Sequence, residues 1–317
     1  MIISLLLVIA GFISLIFGAN WLIDGASALG RKYNMSDLMI GLTIVAFGTS
    51  VPELVVNIIA SIKGHSDIVL GNIIGSNNFN LFIILGLSGL ILPIKVQTST
   101  AWKEIPISLF ASVLLLFMLN DFIFNCSTYS SRIDGLIMLL LFCLFLYYVF
   151  NKIKNATQTV KTENQKYGIK IWGLIIIGLV GLILGGQFVV VNIVSIANTL
   201  GVSEKIIGLT IVAAGTSLPE LVTSIVAATK KNGNIAIGNV IGSNIFNILF
   251  ILSISTLIKP IEYNAKFNLD LYILIGGTIF LFTSMLIGVR KKLDRWEAGV
   301  LFGFYIIYTA YLVMKEI

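Results

Sequence analysis

The chain has 317 residues, of which 57% are hydrophobic and only 11% are charged, and its mean hydropathy is +0.99. This composition excludes an ordinary soluble domain and predicts an integral membrane protein. The formal charge of +6 comes from basic residues scattered through short polar segments, a pattern typical of membrane topology rather than of a nucleic-acid surface. With 2 Cys and 1 His, the chain lacks the residues for a disulfide framework or a histidine-based site.

Ten apolar stretches approach the length of about 20 residues that a spanning helix needs. In chain order they cover 3–24, 38–61, 69–92, 105–120, 133–150, 172–197, 206–228, 235–257, 271–289 and 298–314. The first stretch has no basic segment before it and is interpreted as an uncleaved helix rather than a signal peptide. The sequence therefore predicts an all-α integral membrane protein with ten transmembrane helices.

One segment of the chain occurs twice. Residues 41–80 contain GLTIVAFGTSVPEL and GNIIGSNNFN, and residues 208–247 contain GLTIVAAGTSLPEL and GNVIGSNIFN. At a constant offset of 167 residues and without a gap, 25 of the 40 aligned positions are identical. Such agreement indicates an internal duplication.

Basic residues predict the orientation of the helices. Placing the N-terminus outside assigns 15 of the 21 Lys and Arg to cytoplasmic segments and leaves 6 outside, as the positive-inside rule requires. The polar stretch 151–171 divides the chain into 1–150 and 172–317, with five predicted helices each. Because five is odd, the two copies enter the membrane from opposite sides. We expect two inverted-topology five-helix repeats in the cell membrane, a cytoplasmic linker and extracellular termini, an arrangement found in many secondary transporters.

Each copy carries a glutamate directly after a proline, Glu53 after Pro52 and Glu220 after Pro219. A carboxylate at the centre of the bilayer costs at least about 2.5 kcal/mol and usually marks an ion or substrate pathway. Proline removes an N–H, so each helix is expected to break there and to free carbonyl oxygens of the preceding turn. The alternative is a pair of structural carboxylates satisfied by neighbouring hydroxyls and amides.

The residues around the glutamates offer further oxygen atoms. Candidate ligands beside Glu53 and Glu220 are the side chains of Thr49, Thr216, Ser50, Ser217, Ser76, Ser243, Asn80 and Asn247 and the carbonyls of Ala46 and Ala213. Shells of about six to eight oxygens suit Ca²⁺, and the absence of Cys and His from this set argues against zinc or copper. Two alternatives stay open. The threonines could bond to the preceding turn, and Asn72, Asn77, Asn239 and Asn244 could form helix–helix hydrogen bonds.

The paired motifs GTSVPEL with GNIIGSN and GTSLPEL with GNVIGSN resemble the two alpha repeats of the sodium/calcium exchanger group of the cation/calcium antiporter superfamily. The chain is similar to the prokaryotic type, without a large regulatory loop. The resemblance covers both repeats and the ten-helix layout. It implies central cation sites formed by helices two, three, seven and eight, with Glu53 and Glu220 as central ligands and the other candidates around them. It also implies that helices one and six slide past this core.

One residue departs from the family pattern. Many exchangers have an aspartate in the second repeat where this chain has Asn247. The two glutamates then contribute a formal charge of −2, which balances one Ca²⁺ and leaves −2 + 3 = +1 with three Na⁺. This departure bears on potassium dependence and on stoichiometry.

The leading hypothesis is a secondary antiporter that exchanges Ca²⁺ for Na⁺ by alternating access. A Ca²⁺/H⁺ antiporter of the same fold is the alternative, because two close carboxylates repel and one could take up a proton. A cation channel would use the same oxygens without alternating access. An enzyme is not expected, because no nucleophile with a base and no phosphate loop accompanies the glutamates. We expect no cofactor and no obligatory protein partner; the expected partners are Ca²⁺, Na⁺ and the lipid bilayer.

Overall fold

The computed structural model describes residues 2–33, 35–95, 100–120, 129–157, 168–199, 213–287 and 292–316. Helices account for nearly all of the described first half. They are α1 (Ile2–Tyr33), α2 (Asp37–Ile40), a π turn (Gly41–Val45), α3 (Ala46–Thr49), α4 (Val51–Lys63), α5 (Ser66–Asn78), a π turn (Phe79–Ile84), α6 (Leu85–Ile91), a π turn (Thr100–Glu104), α7 (Ile105–Leu119) and α8 (Arg132–Thr157).

The second half follows the same pattern. Its elements are α9 (Gly168–Thr199), α10 (Ala213–Gly215), α11 (Leu218–Thr229), α12 (Gly233–Ile245), a π turn (Phe246–Ile251), α13 (Leu252–Ile258), a 3-10 turn (Ala265–Phe267), α14 (Asn268–Ile287) and α15 (Arg295–Glu316). Each of the ten predicted stretches overlaps a described helix, although positions 206–212 lie outside the described residues.

Length and hydropathy identify the helices that can cross a membrane. Among the described residues there are 7, or up to 8 when the bent pair Asp37–Thr49 and Val51–Lys63 is taken as one span. The helix Leu218–Thr229 is apolar but shorter in its described part. The chain is therefore a multi-pass, predominantly α-helical membrane protein.

Several helices are longer than their apolar stretches predict. α1 continues to Tyr33, so Arg31 and Lys32 lie in its last turn rather than in a loop. α8 continues to Thr157 and α9 is helical from Gly168, so both ends of the predicted 151–171 linker are helical. Hydropathy marks only the part of a helix inside hydrocarbon, and long basic side chains extend its ends into the interface.

The break expected at Pro52 is present. Two helical segments meet at Ser50 with a bend of 46°, and Pro52 lies in the first turn of α4. A proline is tolerated in the first turn because no intrahelical N–H is needed there. In the second half, α11 begins at Leu218, directly after the turn residues Thr216 and Ser217, and Pro219 lies in its first turn.

Two short antiparallel ribbons were not predicted from the sequence. β1 (Ile94–Lys95) pairs with β4 (Lys292–Leu293), and β2 (Tyr129–Ser130) pairs with β3 (Ile261–Glu262). Strands of two residues leave no periodic signal, because alternation needs about four residues to be recognised. Each ribbon connects one half of the chain to the other.

The spans that carry the second part of each motif, Ser66–Ile91 and Gly233–Ile258, lie at the centre of the molecule. In their most apolar stretches 72% and 94% of the residues are buried, whereas in that of α1 only 22% are buried. The most apolar helices thus face the lipid, while the motif helices, with their Asn and Ser side chains, form the interior. A membrane protein can bury polar groups in this way only if they bond to each other or to a ligand.

α1 and α9 pack against each other along small residues. A Cβ atom added to Gly18 would lie 2.8 Å from the carbonyl oxygen of Gly178. The Ser14 hydroxyl donates to the Gly181 carbonyl at 2.8 Å, and these two residues are themselves related by the repeat offset, since 14 + 167 = 181. Glycine therefore allows the two backbones to approach as in small-residue helix pairs of membranes.

We predict that Gly178→Ala lowers the thermal unfolding midpoint in detergent. The added Cβ would lie 2.6 Å from the Leu22 amide nitrogen and 2.8 Å from the Gly18 carbonyl oxygen, and neither backbone can move aside alone. Gly173→Ala on the same helix is the control, because a Cβ there meets nothing within 4 Å. Alanine has the better helix propensity by about 1 kcal/mol, so the control should match or exceed the wild type. Equal midpoints for the two variants would contradict the packing argument.

Candidate cation site

Each glutamate is held by a serine from the opposite half of the chain. Ser217 Oγ donates to Glu53 Oε1 at 3.0 Å, and Ser50 Oγ donates to Glu220 Oε1 at 2.9 Å. Because 50 + 167 = 217 and 53 + 167 = 220, these are the same contact made twice with the halves exchanged. The structure therefore brings the two glutamates together from distant parts of the chain.

The position of the two glutamates explains in part why the protein can bury their negative charge. Glu53 lies in the first turn of α4 and Glu220 in the first turn of α11, where the helix dipole favours negative charge. Both residues are only 1% exposed. The helix breaks at the prolines therefore place two helix N-termini, each with its carboxylate, inside the protein.

The charge of the pair has no basic counterpart. The serine bonds place both carboxylates where the two halves of the chain meet. Within the described part of the chain, neither takes part in an ion pair with Lys or Arg. The second oxygen of each, Glu53 Oε2 and Glu220 Oε2, is buried without a hydrogen-bond partner. Buried, unpaired carboxylates are unstable unless a cation or a proton compensates them. The geometry thus fits a cation between the two halves.

The predicted hydroxyl ligands lie beside the glutamates but also bond elsewhere. Thr49 Oγ1 is 3.1 Å from the Val45 carbonyl and 3.2 Å from Asn239 Oδ1. The equivalent Thr216 Oγ1 is 3.2 Å from Asn72 Oδ1. Each threonine hydroxyl has one hydrogen to donate and two lone pairs. Both threonines are therefore oriented by hydrogen bonds, and their lone pairs remain available as ligands.

The serines of the second motif differ between the halves. Ser243 Oγ lies 3.1 Å from Ser50 Oγ and so belongs to the hydrogen-bonded group around Glu220. Its counterpart Ser76 is equally buried, but its hydroxyl has no partner. Ser76 therefore contributes another free oxygen in the interior.

The two predicted backbone ligands are the carbonyls of Ala46 and Ala213. The Ala46 carbonyl accepts a hydrogen bond from the Ser50 amide at 3.1 Å, so it is not a free end of a broken helix. Its second lone pair is still available. Ala213 begins the short helix Ala213–Gly215, and the residues before it in the second copy, 208–212, lie outside the described residues.

Four asparagines form two hydrogen bonds between their side-chain amides, and each bond joins one half of the chain to the other. Asn80 Nδ2 donates to Asn244 Oδ1 at 3.1 Å, and Asn247 Nδ2 donates to Asn77 Oδ1 at 3.0 Å. Asn77 and Asn244 thus make the helix–helix hydrogen bonds that the sequence had left open. Because the amide nitrogens of Asn80 and Asn247 are engaged, their carbonyl oxygens are the atoms left free, and both are buried without a partner.

The backbone at Asn80 and Asn247 is not regular α-helix. Asn80 lies in the π turn Phe79–Ile84 and Asn247 in the π turn Phe246–Ile251, at equivalent positions of the repeat. A π turn holds one more residue than an α turn and often occurs at functional sites.

Two buried polar residues on α4 were missed by the sequence reading. Asn57 and Ser61 follow Glu53 at steps of four residues, and they are 0% and 3% exposed. Residues four apart share a helix face. This spacing within an apolar helix was a usable signal, and it extends the polar face beyond the glutamate.

We predict that Asn244→Leu destabilises the protein. The change leaves the buried Asn80 amide group without its acceptor, and such a loss costs about 1–3 kcal/mol. The measurement is thermal unfolding in detergent. Asn192→Leu is the control, because the hydrogen bond that Asn192 Nδ2 makes among the described residues is to the Phe188 carbonyl of its own helix. A midpoint for Asn244→Leu at or above that of the control would show that the amide pair contributes nothing.

Known proteins similar to this chain agree in family. Residues 3–151 and 170–314 match the model of the family described as "Sodium/calcium exchanger protein". The chain is 35% identical over 328 residues to the putative antiporter CaxA of Alkalimonas amylolytica, covering 100% of both chains. It is 30% identical over 349 residues to the sodium/calcium exchanger MaX1 of Methanosarcina acetivorans, covering 98% of both.

The fold is also similar to a solved structure. The sodium-calcium exchanger NCX_Mj, soaked with 2.5 mM Na⁺ and 10 mM Sr²⁺, superposes with a TM-score of 0.85 at 33% identity over 98% of each chain. The resemblance predicted from the two motif copies is therefore confirmed. This chain belongs to the sodium/calcium exchanger family, a family of cation/calcium antiporters.

Proposed function

We propose that this protein is a secondary active antiporter that exchanges Ca²⁺ for Na⁺ by alternating access. The observation that carries the proposal is the pair of buried carboxylates, Glu53 and Glu220, each bonded to a serine of the opposite half. Among the described residues, each keeps one oxygen without a hydrogen bond and neither has a basic partner. The relatives named as sodium/calcium exchangers support the choice of ions.

The cation ligands we propose are all oxygen donors. Free, buried oxygens come from the two glutamates, Asn80, Asn247 and Ser76. Hydroxyl lone pairs and carbonyls would complete the shell of about six to eight oxygens that Ca²⁺ prefers. The proposed set is Glu53, Glu220, Thr49, Thr216, Ser50, Ser217, Ser76, Ser243, Asn80, Asn247 and the carbonyls of Ala46 and Ala213.

Coupling follows from the charge of this set. With amides at both Asn80 and Asn247, the formal charge is −2, so one Ca²⁺ neutralises the site and three Na⁺ leave −2 + 3 = +1. The two ion sets compete for the same oxygens and exclude each other. An empty dianionic site is costly to carry through an apolar interior, so the transporter changes its access side only when ions are bound.

We propose that the helices form ten spans in two inverted five-helix halves, 1–150 and 172–317, with 151–171 on the cytoplasmic side and both termini outside. Contacts that recur with the halves exchanged support the two-fold arrangement, and the 15 to 6 division of the 21 basic residues supports the orientation. α1 and α9, which pack through glycine and serine at the lipid boundary, would move together along the core.

The direct test is uptake of ⁴⁵Ca²⁺ into proteoliposomes that contain the purified protein. We expect an outward Na⁺ gradient to drive uptake and a sodium ionophore to abolish it, because Na⁺ must leave as Ca²⁺ enters. Equal uptake after the Na⁺ gradient is abolished would refute sodium coupling. Uptake driven by a pH gradient without Na⁺ would instead identify a Ca²⁺/H⁺ antiporter, and unitary currents far above carrier turnover would identify a channel.

The site assignment is tested by Glu53→Gln and Glu220→Gln. Each change removes one of two charges while keeping the shape of the side chain, so we expect transport to be lost and Ca²⁺ affinity to fall by at least about tenfold, or 1.4 kcal/mol. Binding isotherms and ⁴⁵Ca²⁺ uptake measure the two effects. Glu262→Gln is the matched control, because Glu262 is exposed in strand β3. Near-normal transport in both site variants would refute the assignment.

A further inference from the structure

In the second half, Asn239 and Ser224 are joined by a hydrogen bond one helical turn beyond Glu220. Asn239 Nδ2 donates to Ser224 Oγ at 2.9 Å and to the Glu220 carbonyl at 3.3 Å. Ser224 lies four residues after Glu220 and therefore on the same face of α11. The Asn239 amide nitrogen therefore has an acceptor, and the Ser224 hydroxyl oxygen has a donor.

The equivalent hydrogen bond is not made in the described residues of the first half. The counterparts are Asn72 and Asn57, since 239 − 167 = 72 and 224 − 167 = 57. Here Asn57 Nδ2 donates to the Glu53 carbonyl at 2.8 Å. Asn57 Oδ1 and Asn72 Nδ2 are both buried without a partner. A donor and an acceptor thus remain unused where the second half has a bond.

Ser61 continues this open group by one more turn of α4. Its hydroxyl is buried and has no partner, and its counterpart in the second half is Ala228, which has no polar atom. Glu53, Asn57 and Ser61 share one helix face, because they are spaced by four residues. We call Asn57, Ser61 and Asn72 the Asn57 cluster. It forms polar steps from Glu53 towards the Lys63 end of α4.

Unpaired polar atoms in an interior are costly, and native proteins satisfy them with water or an ion. The Asn72 amide group is a donor and repels a bare cation, but it suits a water molecule. Asn57 Oδ1 and Ser61 Oγ are acceptors that can bind either water or a cation. Together these groups fit a cation that has lost only part of its hydration shell.

We propose that the Asn57 cluster is a half-site for a partly hydrated Ca²⁺ or Na⁺ on its way between the Lys63 end of α4 and Glu53. Asn57 Oδ1 and Ser61 Oγ replace some hydration waters before the carboxylate replaces the rest, and Asn72 Nδ2 holds a water of the shell. The half-site rests on the proposed function, since it serves the same ions. It lowers the barrier to entry and release and leaves the affinity of the central site unchanged.

The double variant Asn57→Ser, Ser61→Ala tests this proposal by giving the first half the residues of the second half. Ser at 57 can accept from Asn72 Nδ2 as Ser224 does from Asn239, so the fold has a precedent in the same molecule. The readouts are the equilibrium Kd for Ca²⁺ and the rate of ⁴⁵Ca²⁺–Ca²⁺ exchange in proteoliposomes, which needs no Na⁺ gradient. Ile62→Val is the control, because Ile62 is 67% exposed on the same helix.

We expect the double variant to exchange Ca²⁺ about tenfold more slowly, a change of 1.4 kcal/mol in barrier height, with a Kd within about twofold of the wild type. Exchange at the rate of the Ile62→Val control would overturn the half-site. A Kd for Ca²⁺ that rises by the same factor as the exchange slows would also overturn it, because the residues would then belong to the central site. If the double variant does not fold, Asn57→Ser alone serves the same comparison. Wild-type protein that neither binds nor exchanges Ca²⁺ would instead overturn the proposed function itself.

Discussion

The structure depends on two carboxylates that are buried together and have no basic partner among the residues that the structure describes. Glu53 and Glu220 occupy helix N-termini created by Pro52 and Pro219, and each receives a hydrogen bond from the serine of the other half. These contacts stabilise the carboxylates only in part, because one oxygen of each stays unpaired. The remaining electrostatic cost is large in an apolar interior. The cation that we propose for this site would relieve the cost, and its binding would then add to the stability of the folded protein.

The neutral polar residues decide which atoms are left for the ion. Asn77 and Asn244 accept the amide hydrogens of Asn247 and Asn80, so the carbonyl oxygens of Asn80 and Asn247 remain unpaired among the described residues. Asn80 and Asn247 lie near the start of π turns that occur at equivalent positions in both halves. These two oxygens and the free glutamate oxygens are hard acceptors, the kind of donor atom that suits a cation such as Ca²⁺.

The molecule combines a polar centre with an apolar periphery that packs differently. In the core, side chains from both halves are joined by hydrogen bonds across the repeat. α1 and α9 instead meet through glycine backbones and one serine, with much of their surface exposed. Small residues allow close packing without interlocking side chains. Such a pair is suited to move along the core without breaking the bonds that hold the glutamates in place.

The sequence by itself determined the membrane class, the duplicated segment, the family and the glutamate-centred motif, because hydropathy, repetition and proline chemistry are properties of local residue order. Several features were decided only by tertiary structure. The hydrogen bonds from Ser217 to Glu53 and from Ser50 to Glu220 join residues that are 164 and 170 positions apart. The π turns have no periodic signature in the sequence. The missing hydrogen bond between Asn57 and Asn72 is recognised only by comparison with the bond between Ser224 and Asn239. Pairing across halves depends on how helices pack, and a linear repeat contains no information about which partners remain unsatisfied.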